Sequence, residues 1–591
     1  MIVKMKKVTL LLSRKERKSG LERLRKLGLL HVKNLQNPQS DEIDDLQAKI
    51  EAIGRVVGVL GRAESGVKRI DEKRADEVVD RVNRLLHDNE KLVKELERLR
   101  NIHTWYEMFG RVSLEEIDRL RNEGIYLKFY SCDRSSIKKI DDRKQIYIVG
   151  RERGIFYVVL ITTDPQDGLK FTEYPLPDIE CSELEKRIGE IEKKISSTKT
   201  TLKKLGRYRD SLNKHRSYLE KRLAFYRVLH GMAQEEGFVY IQGFCPVDNL
   251  SELKECAEHQ GWAYVIQDPD DPSEVPTLIK THRWLKIINP VFKFMDTLPG
   301  YNEYDISFWF LLFFSIFFAI LIGDAGYGML FIIFSFIASR KFRAVPREPF
   351  VLLYVLGGTT VLWGAISGTW FGFEGIAHVP FLSSIIVDRV NSFAEENTLF
   401  MMYLCFIIGV VHLSIAHGIR MVNMINSLKA LSELGWILIL WSLFFVAGKL
   451  VLDRPVPFLT LPLLILGCFL TLTFTNYQKN ILKGALATLG DLPLSVIGSF
   501  SDLVSYLRLF AVGYASVIVA SSFNEMAIGD GIHSVLHGLM AALILFFGHT
   551  LNIILGLLAV IVHGIRLNML EFSGQLNMQW SGRPYKPFRD V

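Results

Sequence analysis

The sequence predicts a mainly α protein: a cytoplasmic coiled-coil dumbbell with two small α/β lobes, followed by a polytopic helical membrane domain of about eight spans. Three observations predict it. Residues 1 to about 285 are highly charged and contain no apolar run of membrane length. From about Ile306 to Val562, apolar segments follow one another. Two long segments of the first half keep an alternating 3,4 apolar spacing. The overall figures of 591 residues, net charge +7 and 49% hydrophobic residues average over two unlike halves. The expected domains are 1–285, cytoplasmic, and 286–591, transmembrane.

The first half begins with strand-like residues Lys6–Leu12 and Leu30–Leu35 around a basic helix, Ser13–Leu27. With the later strands Gly237–Phe244 and Ala263–Ile266 and the helix Leu250–Gln260, these form a proximal lobe. The rod is an antiparallel pair, 72–108 and 182–230. Its first seam runs through Val78, Val82, Leu85, Asn89, Leu92, Leu96, Leu99, His103 and Tyr106. The second runs from Leu184 through Ile188, Ile191 and Ile195 to Leu223 and Tyr226. Between the rod helices a distal lobe, 112–181, holds a helix near Leu114–Arg121 and strands Ile125–Ser131, Gln145–Gly150 and Ile155–Thr162. The polar seam residues Asn89, His103 and Arg209 set register or meet solvent.

The expected spans are 306–322, 326–339, 350–372, 398–416, 433–452, 457–475, 492–523 and 535–562. The inner loops carry Arg340, Lys341, Arg343, Arg347, Arg420, Lys429, Lys479 and Lys483, and the C-terminal tail carries Arg583, Lys586 and Arg589. The outer loops carry little beyond Arg389 and Arg454. Positive residues inside imply an even number of spans, both ends cytoplasmic, and a multi-pass cell-membrane protein. Tilt explains the length of the last two segments. The basic N-terminal run has too short an apolar stretch for a signal peptide, which keeps the soluble half in the cytoplasm.

Several function classes are excluded. The six cysteines form no CxxC pair and no metal spacing, so no metal or cofactor is expected. No phosphate loop or dinucleotide fingerprint is present, so the chain has no ATP-hydrolysing site of its own. The basic patches Arg14–Lys18 and Arg23–Lys26 lack interleaved aromatics and read as solvated or protein-docking faces, not as nucleic-acid sites.

The chemistry lies in the membrane half. Arg508 sits near the middle of the seventh span, within Ser505-Tyr506-Leu507-Arg508-Leu509. Arginine cannot shed its proton to escape the apolar phase, so it needs water, a carboxylate or a carbonyl. Ser501, Ser505, Arg508 and Val512 share one helical face, with Ser516 close by. His549, Asn552, Gly556, His563 and Arg566 share a face of the eighth span. Two polar faces on neighbouring helices would line aqueous pockets. His412 and His417 on the fourth span read only as packing residues. In the turn Gly323-Asp324-Ala325-Gly326-Tyr327-Gly328, Asp324 either caps the next helix, the simpler reading, or meets an ion in the outer vestibule.

These residues resemble a family. The Ser505–Leu509 run, the GDAGYG turn, and His563-Gly564-Ile565-Arg566-Leu567 with Glu571-Phe572 look like the a/I subunit of rotary V-type and A-type ATPases. So do Met5-Lys6-Lys7-Val8, Leu27-Gly28-Leu29-Leu30-His31-Val32 and the lead-in from Pro276-Thr277 to Tyr301–Asp305. The resemblance covers essentially the whole chain, and the length is that of archaeal or bacterial subunit I. It implies a stator. The family's arginine, at Arg508, faces the carboxylate of each proteolipid as the ring turns, and a second arginine maps to Arg566. A fixed cation favours the ionised form of a passing carboxylate, which then releases its ion. The implied partners are a proteolipid (c/K) ring, peripheral-stalk helices of E/G type, a d-type (C) central-stalk subunit nearby, and the bilayer.

The chain departs from the family's pattern at Gly556 and Ser516, which stand where eukaryotic subunits carry glutamate and histidine. Leu494 and Gly498 replace polar groups of some relatives, Gln575 replaces a common lysine, and Ile306 replaces a proline. The expected cytoplasmic half-channel residues are therefore Asp491, Ser501, Asp502 and Ser505. The outer ones are His549, Asn552, Glu525 and Asp324, with His563, Glu571 and Ser516 in support. Two other classes compete. A secondary transporter would use Arg508 to bind an anionic substrate, but no internal repeat is evident and the rod has no role there. A scaffold without transport leaves two intramembrane arginines unexplained.

Overall fold

The computed structural model describes residues 1–61, 71–133, 137, 144–152, 154–343, 345–377, 379–476, 481–529, 531 and 533–590; Lys479 lies outside them. Contacts gather the chain into two compact units. One is built mainly from Leu12–Glu22 and Lys33–Ile241, the other from Met1–Leu11, Arg23–Val32 and Gln242–Arg589.

In the first of these, helix Glu72–Phe109 packs on helix Cys181–Leu205. Leu92, Leu96 and Leu99 meet Ile188, Ile191 and Ile195. The pairs Arg100–Glu192 (2.8 Å) and Arg111–Glu185 (2.7 Å) fix an antiparallel register. Both pairs are largely exposed and contribute little, so the apolar seam holds the helices. The second long segment is not continuous. A 3-10 turn at Gly206–Tyr208 separates Cys181–Leu205 from Arg209–Gly231. Past that turn, Leu212, Leu219 and Leu223 cluster with Ile43, Ile53 and Val56 of a further helix, Asp41–Val59, absent from the expected elements. Ser40 caps this helix, its hydroxyl accepting from Ile43 N at 3.3 Å.

The small sheet of this unit runs Gln145–Glu152, Ile155–Thr162, Tyr126–Asp133, Thr172–Tyr174, all antiparallel. Trp105 and Phe109 of the long helix stack edgewise on Phe129, at 4.8 and 5.2 Å between ring centres. That aromatic cluster ties sheet to helix.

In the other unit, strand Met5–Ser13 pairs antiparallel with Ala263–Gln267, Lys7 opposite Gln267. Its polar part also holds both ends of the membrane half. Pro276–Thr277 pairs in parallel with Arg583–Pro584, and Leu298 bridges to Ser581. The Glu303 carboxylate accepts from Gln579 N (2.7 Å), Trp580 N (3.3 Å) and Gly300 N (2.8 Å). Phe588 N donates to Leu30 O at 2.9 Å, and the Met1 ammonium pairs with Asp305. The chain thus leaves its apolar helices beside the point where it goes into them.

Helices occupy every expected span, but the count of about eight needs correction. Among the described residues, five are long and apolar enough to cross a membrane: Glu348–Ser367, Thr398–Asn423, Ala430–Leu452, Lys483–Ile528 and Val535–Gln575. Ser307–Ile322 and Ala325–Lys341 bend by 120° and make a sixth if counted as one span. Gly323, at φ 69°, makes the bend, and the Asp324 carboxylate closes it by accepting from Tyr327, Phe371 and Gly372 N at 2.8–3.2 Å. Thr460–Phe474 has 15 residues. That length covers about 22 Å, short of the hydrocarbon core of about 30 Å. The seventh segment is also not one tilted helix. It is Ile481–Val504 and Leu507–Ile528, broken at Ser505-Tyr506.

Cys245 is fully buried, and burial pushes its thiol up to about 12. Native protein at pH 7 should therefore leave Cys245 unmodified by a water-soluble disulfide reagent over minutes, and denaturant should release it. Mass mapping of the labelled peptide checks this; fast native labelling of Cys245 would contradict its burial.

Candidate functional site

Arg508 stands one residue inside the helix that follows the break. At the break the backbone tightens: Arg508 N bonds Ser505 O (3.3 Å) and Leu509 N bonds Tyr506 O (3.0 Å), both at three-residue spacing. The Ser505 carbonyl also accepts from Arg508 Nε at 3.2 Å. Arg508 Nη2 donates to Glu571 Oε1 at 3.0 Å. The arginine that needed a partner has both a carbonyl and a carboxylate.

Arg566 Nε lies 3.5 Å from the same Glu571 oxygen. The local fold explains this. In an α-helix, positions five apart point about 140° apart, since each residue turns about 100°. Here Val560–Gly564 and Leu567–Phe572 are π-helical, and the widened turns bring Arg566 and Glu571 to one side. Glu571 is 2% exposed, whereas Arg508 is 27% and Arg566 51% exposed. A buried carboxylate therefore holds two cations whose outer faces are open. Glu571 Oε2 is buried and makes no hydrogen bond.

The remaining expected residues fall into two groups. Asp502 Oδ2 accepts from Gln575 Nε2 at 2.7 Å. Gln575 leads on to His417, whose Nε2 is 3.1 Å from Gln575 Oε1 and whose Nδ1 is 2.7 Å from Glu433 Oε2. Arg420 completes the cluster, reaching Glu433 Oε1 (2.9 Å) and Gln575 O (3.0 Å). Glu433 and His417 are buried. His417, given only a packing role above, and Glu433, unremarked, are thus joined to Asp502. The signal was a carboxylate at the first residue of an expected apolar span, 433–452. Ser501 is exposed and Ser505 half-buried, Ser505 Oγ donating to Ser501 O at 2.9 Å. Asp491 is exposed and apart from this network.

The second group surrounds Tyr327. Its hydroxyl lies 2.7 Å from His549 Nδ1 and accepts from Asn552 Nδ2 at 3.1 Å. Ser516 Oγ donates to Asn552 Oδ1 at 3.2 Å, and His549 Nε2 is 3.1 Å from Asn524 Oδ1. His549, Asn552 and Ser516 come together; Tyr327 and Asn524 were not foreseen. Asp324 acts as the cap of the bend. Glu525 is exposed and outside this cluster. His563 Nδ1 is buried without a hydrogen bond. Among the described residues, no group of three or more His, Cys, Asp or Glu could hold a metal ion.

Fold and site together define a membrane protein that keeps paired charges inside its apolar helices. Residues 167–347 match the V-type ATPase 116kDa subunit family. The chain is 32% identical to V-type ATP synthase subunit I of Borreliella burgdorferi and 30% identical to V-type ATP synthase subunit I 1 of Treponema pallidum, over 100% of each chain in both cases. It is 27% identical to A-type ATP synthase subunit I of Methanocaldococcus jannaschii, over 59% of this chain and 55% of the other. The chain belongs to this family of V/A-type ATP synthase subunits I, membrane subunits of rotary ATPases.

Glu433→Gln should leave Arg420 and His417 without their shared charge and destabilise the protein by about 3 kcal/mol. The thermal unfolding midpoint of the detergent-purified protein should fall, while the exposed Lys429→Ala leaves it in place. An unchanged midpoint in Glu433→Gln would remove Glu433 from the network's energetics.

Proposed function

We propose that this chain is the stator of the membrane motor. Arg508 and Arg566 face the carboxylates of a proteolipid ring, two half-channels bring ions to the ring, and the soluble half links the motor to peripheral-stalk helices beside a d-type subunit. The observation that carries this reading is the shared, buried Glu571 beneath two partly exposed guanidinium groups. Such a mount keeps both cations in one place while leaving their outer faces free for an anion. A ring carboxylate arriving there is held ionised until it moves on, and the fixed charges repel cations that would otherwise leak straight through.

The two polar clusters support the paths. The inner path runs by Glu433, His417, Gln575 and Asp502, with Ser501 and Ser505 on the open face and Asp491 at its mouth. The outer path runs by Tyr327, His549, Asn552 and Ser516, with Glu525 at its mouth and Asp324 bracing the bend. The hydrogen bonds between Gly300–Glu303 and Gln579–Trp580 support an even number of crossings, and the arginine and lysine pattern supports both ends in the cytoplasm.

Arg508→Ala should reduce ATP-driven ion uptake into vesicles to background while the complex still assembles; normal uptake would sink the stator reading. After removal of the native cysteines, the exposed positions Ser501→Cys and Glu525→Cys should label from the cytoplasmic side and from the outside respectively. Labelling from the opposite sides would overturn the topology.

A further inference from the structure

His412 takes no part in either polar path, yet it is enclosed between two aromatic rings. It is 0% exposed, on helix Thr398–Asn423. Its ring lies parallel to that of Phe572, 4.2 Å between centres at 7°, and stacks on Phe313 on the other side at 3.9 Å and 25°. Its Nδ1 is 2.8 Å from the Tyr506 hydroxyl. Its Nε2 is buried and makes no hydrogen bond. One turn earlier, Gly409 leaves room for Tyr506, since a Cβ there would come within 2.8 Å of the ring.

The two groups that His412 grips matter by position. Tyr506 is the second residue of the break, between the Ser505 carbonyl that accepts from Arg508 Nε and Arg508 itself. Phe572 adjoins Glu571, the carboxylate that holds Arg508 Nη2. We propose that His412 is a positioning residue for the arginine site: one buried ring that fixes both the helix break from which Arg508 projects and the π-helical turn that presents Glu571. The inference rests on the stator reading above. A ring buried and stacked on both faces has no contact with an ion; it acts through Tyr506 and Phe572. Its loss would let the guanidinium wander relative to the passing carboxylate, and displacements of about 1 Å at such a centre cost on the order of a hundredfold in rate.

The test uses the assembled complex in vesicles and reads ions transported per ATP hydrolysed. His412→Phe keeps both stacks and loses the hydrogen bond, and Tyr506→Phe loses the same bond from the other side. Each strands one buried polar atom, whereas the double variant strands neither and should recover stability. The expected result is a transport-to-hydrolysis ratio about tenfold lower in each single variant and still low in the double variant, although its thermal midpoint returns. A wild-type ratio in the single variants, or a ratio restored together with the midpoint in the double variant, would reduce the bond to plain packing and overturn the proposal. If neither single variant assembles, the double variant decides alone. Arg508→Ala runs beside them. Background uptake there with normal ratios in the His412 series means that only this inference has failed. Normal uptake in Arg508→Ala overturns the stator reading and this inference with it.

Discussion

A guanidinium among apolar helices cannot escape its charge, and this constraint organises the membrane half. Arg508 meets it with the Glu571 carboxylate and the Ser505 carbonyl. Burying a carboxylate costs several kcal/mol unless it is paired and hydrogen-bonded, so Glu571 needs its cations as much as they need it. Arg566 supplies the second. The two positive charges repel each other, and only a negative charge between them makes their closeness tolerable.

Irregular backbone makes that arrangement possible. The break at Ser505-Tyr506 frees a carbonyl, and the π-helical turns around Arg566 rotate Glu571 toward it. Irregularities of this kind survive in apolar surroundings only where neighbouring side chains hold them. Here the buried aromatic rings of Tyr506, His412 and Phe572 pack against one another beside both irregularities. Farther out, Glu303 ties the two ends of the membrane half with three backbone N–H groups, so the helices between them begin and end on one anchored patch.

Much of this was legible in the sequence. The short run of β-branched and aromatic residues located Ile155–Thr162 to the residue, because a strand buried on both faces writes its apolar run locally. Arg508 was legible because a charge inside an apolar run has no neutral explanation. The Arg566–Glu571 contact was not, since α-helical spacing sets those two residues apart. Glu433 sits at the edge of its span, where a charge reads as the boundary. Ile43, Leu46, Ile50, Ile53 and Val57 do keep 3,4 spacing, but their packing partner lies more than 150 residues away, past Arg209. The span count overreached because apolar length reveals neither the 120° bend at Gly323-Asp324 nor that the helix within 457–475 has only 15 residues.

The central claim is that Arg508 stands at the surface swept by the ring carboxylates. Disulfide formation tests it most directly: Arg508→Cys in this chain, a cysteine in place of the ring carboxylate, and mild oxidation of the assembled complex. A cross-link should form from position 508 and not from its fully buried neighbour, Leu509→Cys. A cross-link from 509 but none from 508 would place the ring against another face and contradict the claim.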